Sequence, residues 1–190
     1  AMMAAADAED VVSVVNADFL SLRPWDYADV THIVLDPSCS GSGMPARLDK
    51  EAPASPERLR KLAWLQKKLL LHALTFPGLR SLTYSTCSIS LAENEEVVAA
   101  ALAETDGFSL APCLPQWPRR GRQHADLTEE QRSMLVRCDP VEDSCNGFFV
   151  ALFVRNGTPA VDSSERRRPL DQHGQEKPKA KKRKTIFLKE

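Results

Sequence analysis

The chain has 190 residues, 43% of them apolar, and a formal net charge of −1. That apolar fraction suffices for a packed core and excludes a fully disordered polypeptide. The near-zero charge conceals a split: residues 1–159 hold 15 basic and 21 acidic side chains (−6), residues 160–190 hold 10 basic and 5 acidic (+5).

Val11–Val15 is a short β-branched apolar run ending in Asn16-Ala17-Asp18, the pattern of a buried strand and a polar turn. Thr31–Leu35 repeats that pattern and runs into a loop of small residues, Asp36-Pro37-Ser38-Cys39-Ser40-Gly41-Ser42-Gly43. Met44–Ala54, with two prolines, reads as irregular. Ser55-Pro56-Glu57 has the signature of a helix start. Leu59, Leu62, Leu65, Leu69, Ala73 and Phe76 follow near helical spacing, with Arg58, Arg60, Lys61, Lys67 and Lys68 on the other faces. Pro77-Gly78 should end that helix. Leu79–Tyr84 predicts a third strand, followed by Ser85-Thr86-Cys87-Ser88. Ala92–Glu104 predicts a second helix with Glu93, Glu95 and Glu96 in its first turn. Phe108–Leu110 reads as a short strand, Pro112–Asp126 as a loop, and Gly147–Arg155 as the most apolar strand of the chain. After Asn156-Gly157 the composition predicts disorder.

This alternation predicts an α/β fold with a largely parallel sheet. Ligands of such sheets sit beyond the C-terminal strand ends, where both cysteine loops and Asp18 are expected. No apolar run approaches the roughly 20 residues of a membrane-spanning helix. The acidic first ten residues are unlike a secretory leader. Five scattered cysteines without a C-x-x-C pair read as reduced thiols, not a disulfide framework.

Cys39 and Cys87 occupy matching places after two strands. Each alone reads equally well as a small buried cysteine. If the strands are neighbours, the loops fall about 5–10 Å apart, and two thiols and the Asp36 carboxylate share one cleft. A thiolate adds to an electron-poor ring, a carboxyl can hydrogen-bond the ring as charge develops, and a second thiol can serve in release. A zinc site would be short of ligands. Gly41-Ser42-Gly43 is not the G-x-S-x-G of a serine hydrolase, and the Gly-Lys of a P-loop is missing.

The two loops, with Gln66, Glu93-Asn94-Glu95 and Asn146-Gly147-Phe148-Phe149, resemble the Sun-domain family of RNA cytosine-5 methyltransferases, most of all the branch acting on large-subunit ribosomal RNA. The similarity runs from about Val11 to Arg155. It implies a Rossmann-like S-adenosylmethionine-dependent methyltransferase fold. It also implies that Cys87 attacks carbon 6 of cytosine, that Cys39 assists release of the adduct, that Asp36 contacts the base, and that Asp18 and Asp36 lie at the cofactor. The chain departs from the family in reading Asp36-Pro37-Ser38-Cys39 where Asp-Ala-Pro-Cys is usual. The family's Gly-rich cofactor loop and first strands would lie upstream of Asp18. The expectation is therefore a partial catalytic domain over 1–157, binding cofactor poorly alone, and a basic tail over 158–190. A noncatalytic RNA-binding or ribosome-assembly protein of the same fold is the alternative. A DNA cytosine methylase would use Cys39 as nucleophile instead.

Lys177–Lys184 carries six bases in eight residues, suiting nuclear import or RNA phosphates. The expected partner is ribosomal RNA, with no membrane and no DNA, and the expected place is the nucleus and nucleolus. Trp117 with Arg119, Arg120 and Arg122 reads as an RNA contact or as a loop with its Trp tucked inward. Cys113, Cys138 and Cys145 have no motif context.

Overall fold

The computed structural model describes residues 12–44 and 54–158. Two 3₁₀ turns, Phe19–Ser21 and Pro24–Tyr27, lead into β1 (His32–Leu35). Then come α1 (Pro56–Leu74), β2 (Ser81–Thr86), α2 (Glu95–Ala103), β3 (Phe108–Ala111), α3 (Glu129–Met134), β4 (Val136–Cys138) and β5 (Phe148–Arg155).

The start of α1 is the one its sequence encodes. The Ser55 hydroxyl accepts from Arg58 N, satisfying one of the helix's orphan donors, and Pro56 sits in the first turn. Gln66, Leu69, Leu70, Ala73 and Leu74 form its buried face, which lies on α2, β1 and β2. Phe76, Leu79, Leu82, Tyr84, Phe149 and Phe153 continue that core. Phe19 caps one end by stacking on Phe76, with ring centroids 5.7 Å apart.

The sheet order is β1-β2-β5-β3, with β4 pairing the same edge of β5 beyond β3. β1 and β2 are parallel, while β5 is antiparallel to β2, β3 and β4. β1, β2, β3 and β4 therefore all point one way, and β5 alone is reversed. This corrects the largely parallel sheet expected from the sequence: most strands share a direction, yet most pairings are antiparallel. An apolar run of eight residues is compatible with either direction, and nothing in the β5 sequence marks its reversal.

Two further expectations fail. Val12–Val15 forms no strand; Val14 and Val15 are exposed and no ladder partner lies beside them among the described residues. A β-branched run becomes a strand only when a neighbour satisfies its backbone. The second helix starts at Glu95, not Ala92, because residues 91–94 form a turn that serves the site. Short α3 and β4 are not apparent from periodicity, although Thr128 and Gln131 form a capping box at α3. Most of Met44–Ala54 and the basic tail after Thr158, including Lys177–Lys184, lie outside the described residues. None of the described helices is long and apolar enough to cross a membrane.

Candidate active site

Parallel pairing puts Leu35 opposite Tyr84. From that register the two loops leave the sheet side by side, Cys39 four residues beyond Leu35 and Cys87 three beyond Tyr84. Their sulfurs are 3.2 Å apart, a thiol–thiol hydrogen bond. At the root of the loops the Ser85 hydroxyl donates to Asp36 Oδ1 (3.1 Å), and the Asp36 side chain is otherwise exposed. Two thiols and a carboxylate thus converge at the C-terminal ends of β1 and β2, as the sequence predicts. Burial and the hydrogen bond with Cys87 push the Cys39 thiol up from the usual 9 to about 12. Cys39 is a proton carrier at neutral pH.

Asp18 lies elsewhere. Its carboxylate accepts from Leu20 N (2.9 Å) and caps the first 3₁₀ turn, exposed to solvent. It follows no strand, contrary to expectation.

The loops are held from beneath by Glu93-Asn94-Glu95, which the sequence presents as acids at a helix start. Glu93 and Glu95 are in fact fully buried, with Asn94 between them. Glu93 accepts from Ser40 N (2.8 Å), Ser40 Oγ (2.6 Å), Ser88 Oγ (2.6 Å) and Gln66 Nε2 (3.1 Å), joining both cysteine loops to α1. Gln66 also donates to Ser38 O (3.0 Å), and the Tyr84 hydroxyl donates to Glu93 O (2.6 Å). Asn94 accepts from Thr86 Oγ1 (2.6 Å) and donates to Ser88 O (2.9 Å), fixing the chain on both sides of Cys87. Glu95 forms a bidentate pair with Arg137 of β4, whose Nη1 reaches Ile89 O at 3.0 Å. Each residue of the triplet holds a different part of the loops. Only resemblance pointed to these residues; burial of an E-N-E turn leaves no trace in periodicity.

A backbone contact closes the arrangement. Gly43 N donates to Cys87 O (2.9 Å), and Gly147 N donates to Gly43 O (2.7 Å). A Cβ on Gly43 would stand 2.3 Å from Gly147 O, and one on Gly147 would stand 2.5 Å from Ile89 Cγ2. Only glycine permits this approach.

The arginine-rich loop before α3 is structural. Trp117 Nε1 donates to Arg137 O (2.7 Å), Arg119 pairs with Glu142 and Asp143, and Arg120 donates to the carbonyls of Cys113 and Leu114. The tucked-in reading of that loop therefore holds. Cys113, Cys138 and Cys145 are free thiols.

The family description 16S rRNA methyltransferase RsmB/F matches residues 7–154. The chain is 46% identical over 181 residues to the 25S rRNA (cytosine-C(5))-methyltransferase NSUN5 of Arabidopsis thaliana, covering 84% of this chain and 31% of that protein. It is 45% identical over 148 residues to the 28S rRNA (cytosine-C(5))-methyltransferase of Mus musculus, covering 75% and 31%. The chain thus spans about a third of these relatives' length. Among solved structures, a methyltransferase homolog protein from Pyrococcus horikoshii superimposes with a TM-score of 0.58 at 27% identity, over 76% of this chain and 44% of that one. With the match extending from before the first 3₁₀ turn to the end of β5, this chain belongs to the 16S rRNA methyltransferase RsmB/F family, on a Rossmann-like methyltransferase fold.

Proposed function

We propose that this chain carries the base chemistry of an RNA cytosine-5 methyltransferase whose substrate is large-subunit ribosomal RNA. The observation that carries it is the 3.2 Å approach of Cys39 and Cys87 beside the exposed Asp36 carboxylate. Identity to relatives named for 25S and 28S rRNA supports the substrate class.

The family resemblance assigns the nucleophile's part to Cys87, and the Cys39 thiol, pushed up by burial and by its hydrogen bond with Cys87, suits the proton-bearing partner. The Cys87 sulfur adds to carbon 6 of a cytosine drawn out of its stack, and the ring's displaced electron pair makes carbon 5 nucleophilic. Asp36 hydrogen-bonds the ring as charge develops. After methyl transfer the carbon 5 proton passes to water, its electron pair re-forms the carbon 5–carbon 6 double bond as the sulfur–carbon 6 bond breaks, and the Cys39 thiol, the sulfur nearest to Cys87, gives its proton to the departing thiolate. S-adenosylmethionine supplies the methyl group when bound. A relative from P. horikoshii has been solved with SFG, an S-adenosylmethionine analogue. The resemblance implies that Asp18 and Asp36 would lie at the cofactor, Asp18 towards its adenosine; both carboxylates are exposed, Asp18 at the first 3₁₀ turn and Asp36 beside the thiols. The +5 charge of residues 160–190 suits nucleolar delivery and phosphate contact.

The test is transfer of labelled methyl to large-subunit rRNA, together with gel detection of the RNA–protein adduct. Cys39→Ala should accumulate adduct and Cys87→Ala should form none. An adduct that persists in Cys87→Ala and vanishes in Cys39→Ala would reverse the roles. Absence of both transfer and adduct would remove the enzymatic reading for this chain.

A further inference from the structure

Helix α1 carries a second feature, on the side turned away from the thiols. At 3.6 residues per turn, Arg60, Lys61, Trp64, Lys67 and Lys68 fall within an arc of about 120°, on the face away from Gln66. Trp64 is 59% exposed, and Lys68 Nζ stands 3.8 Å from its ring centroid. The ring lines an open groove of about 520 Å³ with Glu57, Arg60, Lys61 and Leu65. Lys61 and Lys67 are paired with Glu57 and Glu104, whereas Arg58, Arg60 and Lys68 have no carboxylate partner among the described residues. The helix has five bases against one acid within a body of net charge −6. It is a cationic stripe with an aromatic plane at its centre on an otherwise acidic molecule.

That combination matches one partner chemistry. With Lys68 over one face of the indole, the other face gives a base a stacking surface, and Arg60 and Lys68 flank it to meet the phosphates on either side. A protein-docking face is depleted of lysine at its centre, whereas three of the five residues in this arc are lysines. The position also fits: Gln66, on the opposite side of α1, touches Ser38 of the Cys39 loop, so the stripe lies more than one helix diameter, over roughly 10 Å, from the thiols, a span that a few nucleotides of extended single strand bridge. Resting on the reading that RNA is the substrate, we infer that the Arg60–Trp64–Lys68 face binds the single-stranded RNA flanking the target cytosine, with one base stacked on Trp64.

The experiment uses the full chain and a labelled 12-nucleotide single-stranded RNA followed by fluorescence anisotropy across a salt series. Trp64→Ala should weaken binding about tenfold, within the range for loss of one stacked base, and Trp64→Phe should recover most of it. Arg60→Gln with Lys68→Gln should lower the slope of log affinity against log salt by about 1.4, at roughly 0.7 per phosphate contact on a single strand. Binding of Trp64→Ala within twofold of wild type, an unchanged salt slope, or no RNA binding by wild type overturns the inference. Self-association lost in Trp64→Ala with RNA binding intact would assign the face to a second copy and also overturn it. Formation of the Cys87 adduct separates the two readings. Adduct with unaltered Trp64→Ala binding sinks the stripe alone; impaired Trp64→Ala binding without any wild-type adduct sinks the catalytic reading alone.

Discussion

Glu93 is an acceptor for four donors from three segments, and no neutral side chain can replace it. Glu93→Gln keeps the shape, but its amide group is itself a donor and faces hydroxyl and amide protons. Stranding a buried donor costs about 1–3 kcal/mol. Glu93→Gln should therefore lower stability by about 2–4 kcal/mol in denaturant unfolding and slow adduct formation. Cys39 makes a separate prediction with a definite sign. Its thiol ionises near 9 in an unfolded chain and near 12 in the fold. The folded state therefore keeps a proton that the unfolded state loses. The stability this gives is complete below pH 9 and is lost as pH rises from 9 towards 12. Urea midpoints of wild type should fall over that window, and the difference from Cys39→Ala should shrink with them. A difference independent of pH would show that Cys39 ionises equally in both states. Cys138, raised to about 11, is common to both proteins and drops out of the comparison.

At the scale of elements, the loops depend on contacts with β4 and β5. Gly43→Ala drives a methyl into the Gly147 carbonyl, where backbone on both sides leaves nowhere to move. It should cost about 1–3 kcal/mol or more and abolish the adduct, while Gly107→Ala, which meets nothing within 4 Å, should change neither. Arg137→Met strands the buried Glu95 carboxylate, and thermal melting should register a loss of about 3–5 kcal/mol. The loops themselves were legible in the sequence because small residues after two apolar runs are a local signal. So was α1, whose Ser-Pro-Glu start and Pro-Gly stop lie within a few residues of its ends. The clamp was not legible. Glu93 and Glu95 have the spacing of ordinary first-turn acids, and only Arg137, 42 residues beyond Glu95, makes one of them a buried ion pair. Val12–Val15 misled for the converse reason: its composition fits a strand, but a strand also needs a neighbour.

Across the whole molecule, charge is distributed by function. The body is acidic, and its cationic stripe on α1 and the bases beyond residue 160 stand apart from the arginines of the 112–126 loop, which are spent on carbonyls and carboxylates. Removing residues 160–190 should reduce the salt dependence of RNA binding without altering the Cys39–Cys87 pair. The checks are the anisotropy salt series and the adduct yield at saturating RNA. An unchanged slope would exclude the tail from RNA contact.

The reversed strand β5 has a consequence for how the protein comes into being. A chain emerging from the ribosome releases both cysteines by residue 87, but Gly147, which holds Gly43 in place, follows 60 residues later. The partners of β2 on its β5 side are residues 149–154, so the sheet interior stays open for the same interval. Such long-range pairing is slow and leaves apolar surface unprotected while it is pending. The site is thus among the last features to assemble, and a nascent chain arrested before Gly147 would display two thiols without the geometry that makes them a pair.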